Sequence, residues 1–126
     1  MTISRVLVVD DEPHLRRIGE LCLQSVGGME VCLAASGTEA VAIATANHPD
    51  VILLDVSMPG MDGPTTLGAL RERPETADIP VVFMTAKVQR HEVERYLRIG
   101  AAGVIGKPFD PMTLADEIRR ICGETT

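Results

Sequence analysis

Acidic, hydroxyl and basic side chains follow short apolar runs of this 126-residue sequence, where strands would end. They are Asp10, Asp11, Asp55, Thr85 and Lys107. Three carboxylates that lie close together repel one another unless a cation lies among them or one keeps a proton, and ligands that are all oxygen suit Mg²⁺ better than Zn²⁺. A carboxylate can also accept a phosphoryl group as a nucleophile, and a lysine, a hydroxyl and a metal ion can stabilise the transferred oxygens. These residue types are therefore sufficient for phosphoryl transfer onto an aspartate.

Each of these residues also has an ordinary structural explanation when it is considered alone. Asp10-Asp11 shortly before a proline is typical of a helix N-cap, Asp55 can simply end a strand, and Lys107 can be a solvated surface charge. The functional interpretation depends on all five residues meeting at one edge of one sheet. The order of the strands and helices decides whether they do.

Five short apolar runs, rich in Val, Ile and Leu, indicate strands that are buried on both faces of a parallel sheet. They cover Arg5–Val9, Glu30–Ala34, Val51–Leu54, Val81–Met84 and Gly103–Ile105. Helical segments separate them, so the fold class is α/β, with a βα unit repeated five times and helices on both faces of a doubly wound sheet. Ligands bind beyond the carboxyl ends of the strands in such sheets. The three aspartates, Thr85 and Lys107 would lie at that edge.

Proline, capping residues and glycine mark the ends of the helices. The first helix is predicted to begin at Pro13 and to stop at Gly27, and the last to begin at Pro111 after an Asp110 cap. The residues expected on the buried face of the first helix are Leu15, Ile18 and Cys22. The three helices between are predicted to run from the Ser36 cap to Ala46, from Pro64 to Arg73 and from Gln89 to Leu97. A short polar tail over residues 123–126 follows the last helix.

Composition narrows the class of protein. Hydrophobic residues make up 45% of the chain, which is enough to build the core of one domain over residues 1–126. A formal net charge of −6 argues against a nucleic-acid-binding surface. No apolar run approaches the roughly 20 residues of a membrane span, so no membrane insertion is expected. Three cysteines without a CxxC pair indicate a reducing, cytoplasmic environment.

The sequence resembles the response regulator receiver domains, the family that includes the chemotaxis response regulator. The resemblance extends from Val6 to about Cys122. Four segments carry it: VLVVDDE at 6–12, VILLDVSMPGMDG at 51–63, VVFMTAK at 81–87 and GAAGVIGKPFD at 100–110. It implies a (βα)5 flavodoxin-like fold with strand order 2-1-3-4-5. It also implies a single receiver domain without an output domain, which signals by contact with other proteins.

The resemblance implies a role for each acidic residue. Asp55 would accept a phosphoryl group from a sensor histidine kinase or a histidine phosphotransfer protein. Asp11 and Asp55 would bind Mg²⁺ through their carboxylates and Ser57 through its backbone carbonyl, while Asp10 would act mainly through a bound water. The protein would be a signalling switch and not an enzyme, apart from self-phosphorylation and self-dephosphorylation on Asp55.

The resemblance also implies how the phosphoryl group is sensed. Thr85 and Lys107 match the residues that contact it, and a cis peptide is expected at Lys107-Pro108. One position departs from the family: Val104 stands where members often place a Tyr or Phe whose rotamer follows the threonine. Output would then run through displacement of the fourth helix, or through its exposed face. The residues expected on that face are Arg90, Glu94, Tyr96 and Arg98.

The resemblance also bears on how long the phosphoryl group persists and on the oligomeric state. Ser57 and Lys87 would flank the path of an attacking water, and neither is an obvious base or amide, so self-dephosphorylation would be modest. The phosphorylated protein would bind a downstream protein target, as a monomer or as a dimer linked to phosphorylation.

Two other functions remain open at this point. The first is a degenerate receiver, an interaction module that acts independently of phosphorylation, and Val104 is the residue that favours it. A haloacid-dehalogenase-type phosphatase also uses an aspartyl nucleophile, Mg²⁺ and a lysine, but it needs a second aspartate where Ser57 stands and a cap domain that 126 residues cannot supply.

Overall fold

Five parallel strands form one sheet in the computed structural model, which describes residues 2–123. The strands are β1 (Arg5–Val9), β2 (Glu30–Ala34), β3 (Val51–Asp55), β4 (Val81–Thr85) and β5 (Gly103–Gly106). Their order is β2-β1-β3-β4-β5, and every neighbouring pair is parallel. The predicted (βα)5 fold and its strand order are therefore confirmed.

A helix follows each strand within the described residues. These are α1 (Pro13–Ser25), α2 (Gly37–Asn47), α3 (Gly63–Arg71), α4 (Arg90–Arg98) and α5 (Leu114–Ile121). The predicted start of the last helix at Pro111 is wrong. Asp110 and Pro111 instead occupy the first two positions of a β-turn, in which the Asp110 carbonyl accepts from the Thr113 amide at 3.1 Å. Aspartate and proline also favour these positions of a β-turn, and α5 begins after the turn.

The core lies on both faces of the sheet because successive strand residues point to opposite sides. One cluster joins the sheet to α2, α3 and α4 and includes Leu7, Ile52, Leu54, Phe83, Leu67 and Tyr96. The other joins it to α1 and α5 and includes Val8, Leu53, Val82, Leu23, Leu114 and Ile118. The strands are hydrophobic along their length because both of their faces are covered.

Two predicted side-chain positions are wrong. Ile18 was expected in the core but is 42% exposed, because α1 turns Gly19, Cys22 and Leu23 towards the sheet. Tyr96 was expected on the exposed face of α4 but is only 4% exposed. Its ring packs edge-on against Phe83 with a centroid distance of 5.2 Å, so it belongs to the core and not to an output surface.

The segment that follows β3 is held tightly at its far end. Asp62 is the N-cap of α3: its carboxylate accepts from the Thr65 amide at 2.9 Å and its carbonyl accepts from the Thr66 hydroxyl at 2.7 Å. Gly37 of α2 packs against this region so closely that a Cβ there would overlap the Thr66 hydroxyl and lie 3.0 Å from Met61. The start of α2 therefore supports the loop that carries the residues after Asp55.

Among residues 2–123, no helix has both the length and the apolar character needed to cross a bilayer. The predicted polar tail lies outside the described residues from position 124 onwards.

Candidate functional site

The predicted chemical residues meet at the carboxyl edge of the sheet. Val9 is the register partner of Leu54, so Asp10, which follows β1, lies beside Asp55. Asp55 and Thr85 are the last residues of β3 and β4, because each of these strands is one residue longer than predicted. Lys107 directly follows β5, and its amide donates to the Thr85 carbonyl at 2.9 Å. The sheet register therefore brings all four strand ends to one place.

The three aspartates form a compact cluster. Asp10, Asp11 and Asp55 each offer a carboxylate oxygen, and these oxygens lie within 4.8 Å of one another. Asp10 and Asp55 are buried, whereas Asp11 is exposed. The cluster is the one group of this kind among residues 2–123. Its open side, where a ligand can enter, is therefore the side of Asp11.

Lys107 places one positive charge against the two buried acids. Its Nζ lies 3.1 Å from Oδ1 of Asp55 and 3.2 Å from Oδ2 of Asp10. Burial disfavours the charge of this ammonium, but the hydrogen bond to Asp55 and the charges of both aspartates outweigh burial, so the pKa of Lys107 is raised. The lysine is therefore a permanent cation at neutral pH.

The surroundings of the Asp55 carboxylate raise its pKa, although influences of both signs act on it. Burial is the largest influence and raises its pKa, and the charge of Asp10 raises it further. The hydrogen bond to Lys107 and the Ser57 amide, which donates to Oδ1 at 3.3 Å, act in the opposite direction without cancelling the rise. Asp55 is thus a weakly hydrated carboxylate held in one orientation, as a nucleophile requires.

The donor set fits a divalent cation. Oδ1 of Asp10 accepts from the Glu12 amide at 2.9 Å, but the buried Oδ2 has no hydrogen bond of good geometry within residues 2–123 and only the nearby Lys107 charge. Three carboxylates against one ammonium leave two uncompensated negative charges when all are ionised. Oxygen ligands of this charge suit Mg²⁺, and the residues that would hold it are Asp10, Asp11 and Asp55.

Thr85 links the site to the loop that precedes α4. Its side chain is buried, and its hydroxyl accepts from the Lys87 amide at 3.0 Å. Val88, in the same loop, covers Gly106, where a Cβ would lie 3.2 Å from Val88 Cγ1. Val104 is half-buried and packs against the core cluster that contains Phe83. The expected cis peptide at Lys107-Pro108 is confirmed.

Arg16 reaches the site from α1 and was not among the site residues predicted from the sequence. Its Nη1 donates to the carbonyl of Asp10 at 2.7 Å. Glu12 caps the same helix by accepting from the His14 and Leu15 amides, each at 3.2 Å. The sequence signal for Arg16 would be a basic residue six positions after the acid that follows β1.

Comparison with known proteins identifies relatives over most of the chain. The family model described as the response regulator receiver domain matches residues 6–119. A probable transcriptional regulator, ycf27, of Cyanophora paradoxa is 39% identical over 122 residues, which is 97% of this chain and 49% of that protein. Response regulator PleD of Caulobacter vibrioides is 41% identical over 118 residues, which is 94% of this chain and 26% of PleD. The chain thus spans about half the length of the ycf27 regulators that it matches.

Solved structures show the same likeness in three dimensions. The chemotaxis protein CheY4 of Vibrio cholerae superposes with a TM-score of 0.87 at 34% identity. The match covers 95% of this chain and 99% of that one.

Proposed function

The chain belongs to the response regulator receiver domain family, and on that premise we propose that Asp55 is a phosphoacceptor that works with Mg²⁺. The observation that carries this proposal is the position of Asp55. Its carboxylate is buried and shares the Lys107 ammonium with Asp10, at the sheet edge where Thr85 also ends its strand. The phosphoryl donor would be a sensor histidine kinase or a histidine phosphotransfer protein, and the output a change in the surface offered to a partner protein.

The residues divide the chemistry among them. An oxygen of Asp55 attacks phosphorus while the bond from phosphorus to the donor's imidazole nitrogen breaks and the imidazole leaves. Bound Mg²⁺ supplies positive charge to the phosphoryl oxygens. Lys107, already 3.1 Å from Asp55, stays beside the new phosphoaspartate and donates to one of its oxygens. The Thr85 hydroxyl accepts from Lys87, so its own hydrogen is available for a second phosphoryl oxygen.

The proposal extends to the ligands of the metal. Asp11 and Asp55 would bind Mg²⁺ directly, the backbone carbonyl of Ser57 would be a third protein ligand, and Asp10 would act mainly through water. The Ser57 amide already lies against Asp55, which supports a place for this residue in the site. The phosphatase alternative finds no support, because Ser57 has no carboxyl group to act as the general acid and base.

Acetyl phosphate with Mg²⁺ tests the proposal. Intact mass is recorded for wild type, for Asp55→Asn and for Asp116→Asn, a control whose side chain is 81% exposed on α5. We expect a phosphoryl adduct on wild type and on the control, none on Asp55→Asn, and none in EDTA. Beryllofluoride binding should follow the same pattern. A wild type that takes up neither the phosphoryl group nor beryllofluoride would leave a phosphorylation-independent interaction module as the better account.

A further inference from the structure

Arg16 holds the main chain that carries the first two acids of the site. It lies in the first turns of α1, where its own amide donates to the Glu12 carbonyl at 3.0 Å. Its guanidinium reaches back to the strand end and donates to the Asp10 carbonyl at 2.7 Å, and the contact is partly buried. A charged donor at this distance makes a strong hydrogen bond.

The bonds around it fix the peptide that joins Asp10 to Asp11. The Asp10 amide donates to the Ala34 carbonyl at 3.2 Å, and the Asp10 side chain accepts from the Glu12 amide at 2.9 Å. These two amides belong to the peptide units on either side, and the bond from Arg16 to the Asp10 carbonyl holds the unit between them. The orientation of the plane sets the direction in which the exposed Asp11 side chain leaves the backbone.

We infer that Arg16 is a positioning residue for the metal site: its bond to the Asp10 carbonyl orients Asp11 towards the cation shared with Asp55. This inference rests on the proposed function. The guanidinium contacts a carbonyl and not a carboxylate, so it acts on the direction of the ligands while leaving their oxygens free for the metal.

Two effects of Arg16 have opposite signs, and this makes the inference testable. The permanent positive charge of the Arg16 guanidinium, near three acids, opposes the binding of Mg²⁺ to them. The bond to the Asp10 carbonyl favours binding, because it holds Asp11 in the direction that ligation requires. If the charge dominated, removal of Arg16 would tighten Mg²⁺ binding; if orientation dominates, removal weakens it.

Isothermal titration with MgCl₂ on wild type, Arg16→Met and Arg17→Met measures the sign. Arg17→Met is the matched control, because it removes the same charge one position along the chain. The Arg17 side chain is 64% exposed and pairs with Glu20. We expect the Kd for Mg²⁺ to rise about fivefold or more in Arg16→Met, in keeping with the loss of a charge-assisted hydrogen bond. Arg17→Met should bind as wild type does or slightly more tightly.

A metal-free readout separates orientation from charge. Amide hydrogen exchange at Glu12, whose amide donates to the Asp10 carboxylate, should be faster in Arg16→Met than in wild type in the presence of EDTA, with no change in Arg17→Met. Arg16→Lys, which keeps the charge and one donor group, should recover part of the Mg²⁺ affinity. Circular dichroism establishes that each variant is folded, and Arg16→Gln replaces Arg16→Met in every comparison if the latter does not fold.

The outcomes are distinct. Mg²⁺ binding by the Arg16 variants that equals or exceeds that of wild type would overturn the role of Arg16 and leave the proposed function intact. A wild type that binds no Mg²⁺ and forms no adduct would overturn the proposed function itself.

Discussion

The acidic residues of the site differ in how their charges are compensated. Asp10 and Asp55 share the Lys107 ammonium at 3.2 and 3.1 Å, whereas Asp11 lies at the open side of the cluster. Without a metal ion, Asp11 therefore adds repulsion to a pair of acids that one lysine already serves. The arrangement lowers stability in the metal-free protein and favours a cation when one is present.

Asp11→Asn should separate these two effects. Two unit charges about 5 Å apart in a largely aqueous setting repel by about 1 kcal/mol. We expect the free energy of unfolding in EDTA to rise by up to about this amount, and Mg²⁺ binding to weaken strongly. Urea denaturation measures the first quantity and calorimetry the second. Glu75→Gln, an exposed acid remote from the cluster, is the control and should change neither; a destabilised Asp11→Asn protein would contradict the prediction.

At the scale of single elements, the contact between α2 and α3 determines how firmly the loop after β3 is held. The contact is close because Gly37 has no side chain, and Thr66 and Met61 occupy the space that one would need. Gly68, on α3, is the opposite case, because a Cβ there would meet nothing within 4 Å.

Paired glycine substitutions test this contact. Gly37→Ala should lower the free energy of unfolding by about 1–3 kcal/mol, since the added methyl group forces neighbouring atoms to move. Gly68→Ala should raise it by about 0.5–1 kcal/mol, because alanine favours an exposed helical position. Urea denaturation of the two variants and wild type gives both values. Equal effects of the two substitutions would show that α2 and α3 do not pack as described.

The cap of α3 should make stability depend on acidity. The Thr65 amide, hydrogen-bonded to Asp62, holds the pKa of this carboxyl below its ordinary value of 3.8. A lowered pKa in the folded state means that the contribution of the charge is complete above 3.8 and is lost as the pH falls through the lower folded value. Asp62→Asn keeps a capping oxygen but has no charge.

Wild type should therefore exceed Asp62→Asn in stability by about 0.5 kcal/mol at pH 7, from the interaction of the charge with the helix terminus. The difference should vanish as the pH falls below the folded pKa. Urea denaturation of both proteins from pH 7 to pH 2.5 measures it, and Glu75→Gln, an exposed acid outside the helices, is the control for a general charge effect. A difference that stays constant over this range would contradict the assignment of Asp62 as a charged cap.

The sequence was informative where a one-dimensional pattern sets a three-dimensional position. Strands buried on both faces are apolar throughout, so the residues at their ends stand out, and the parallel order brings Asp55 and Lys107 to one edge. Side-chain direction on helices was less predictable: Ile18 and Leu15 both fit a buried stripe, but α1 turns Gly19, Cys22 and Leu23 towards the sheet and leaves Ile18 exposed. The Arg16 contact depends on that same rotation and on the turn after β1.

At the scale of the whole molecule, ligand binding and folding are coupled. The three acids come from the ends of β1 and β3, which lie next to each other only in the folded sheet. The two core clusters meet across these central strands, so a ligand held there binds the folded state and not the unfolded chain.

Mg²⁺ should therefore raise the stability of the entire domain. At a free concentration ten times its Kd, the expected gain is about 1.4 kcal/mol, and EDTA should remove it. Thermal and urea denaturation at several MgCl₂ concentrations measure the gain. Asp11→Asn is the matched control and should show little of it at the same concentrations; an equal gain in both proteins would indicate a general salt effect.

The bond from the Lys87 amide to the Thr85 hydroxyl has a mechanical consequence. A hydroxyl has one hydrogen to donate, and here one of its two lone pairs accepts from the backbone of the following loop. If the Thr85 hydroxyl moved to donate to a group on Asp55, the main chain at Lys87 would therefore be displaced with it. The displacement would reach Val88, the next residue, which packs against Gly106. A chain with valine at position 104 thus still contains a way to turn the displacement of one oxygen atom into the displacement of a backbone segment.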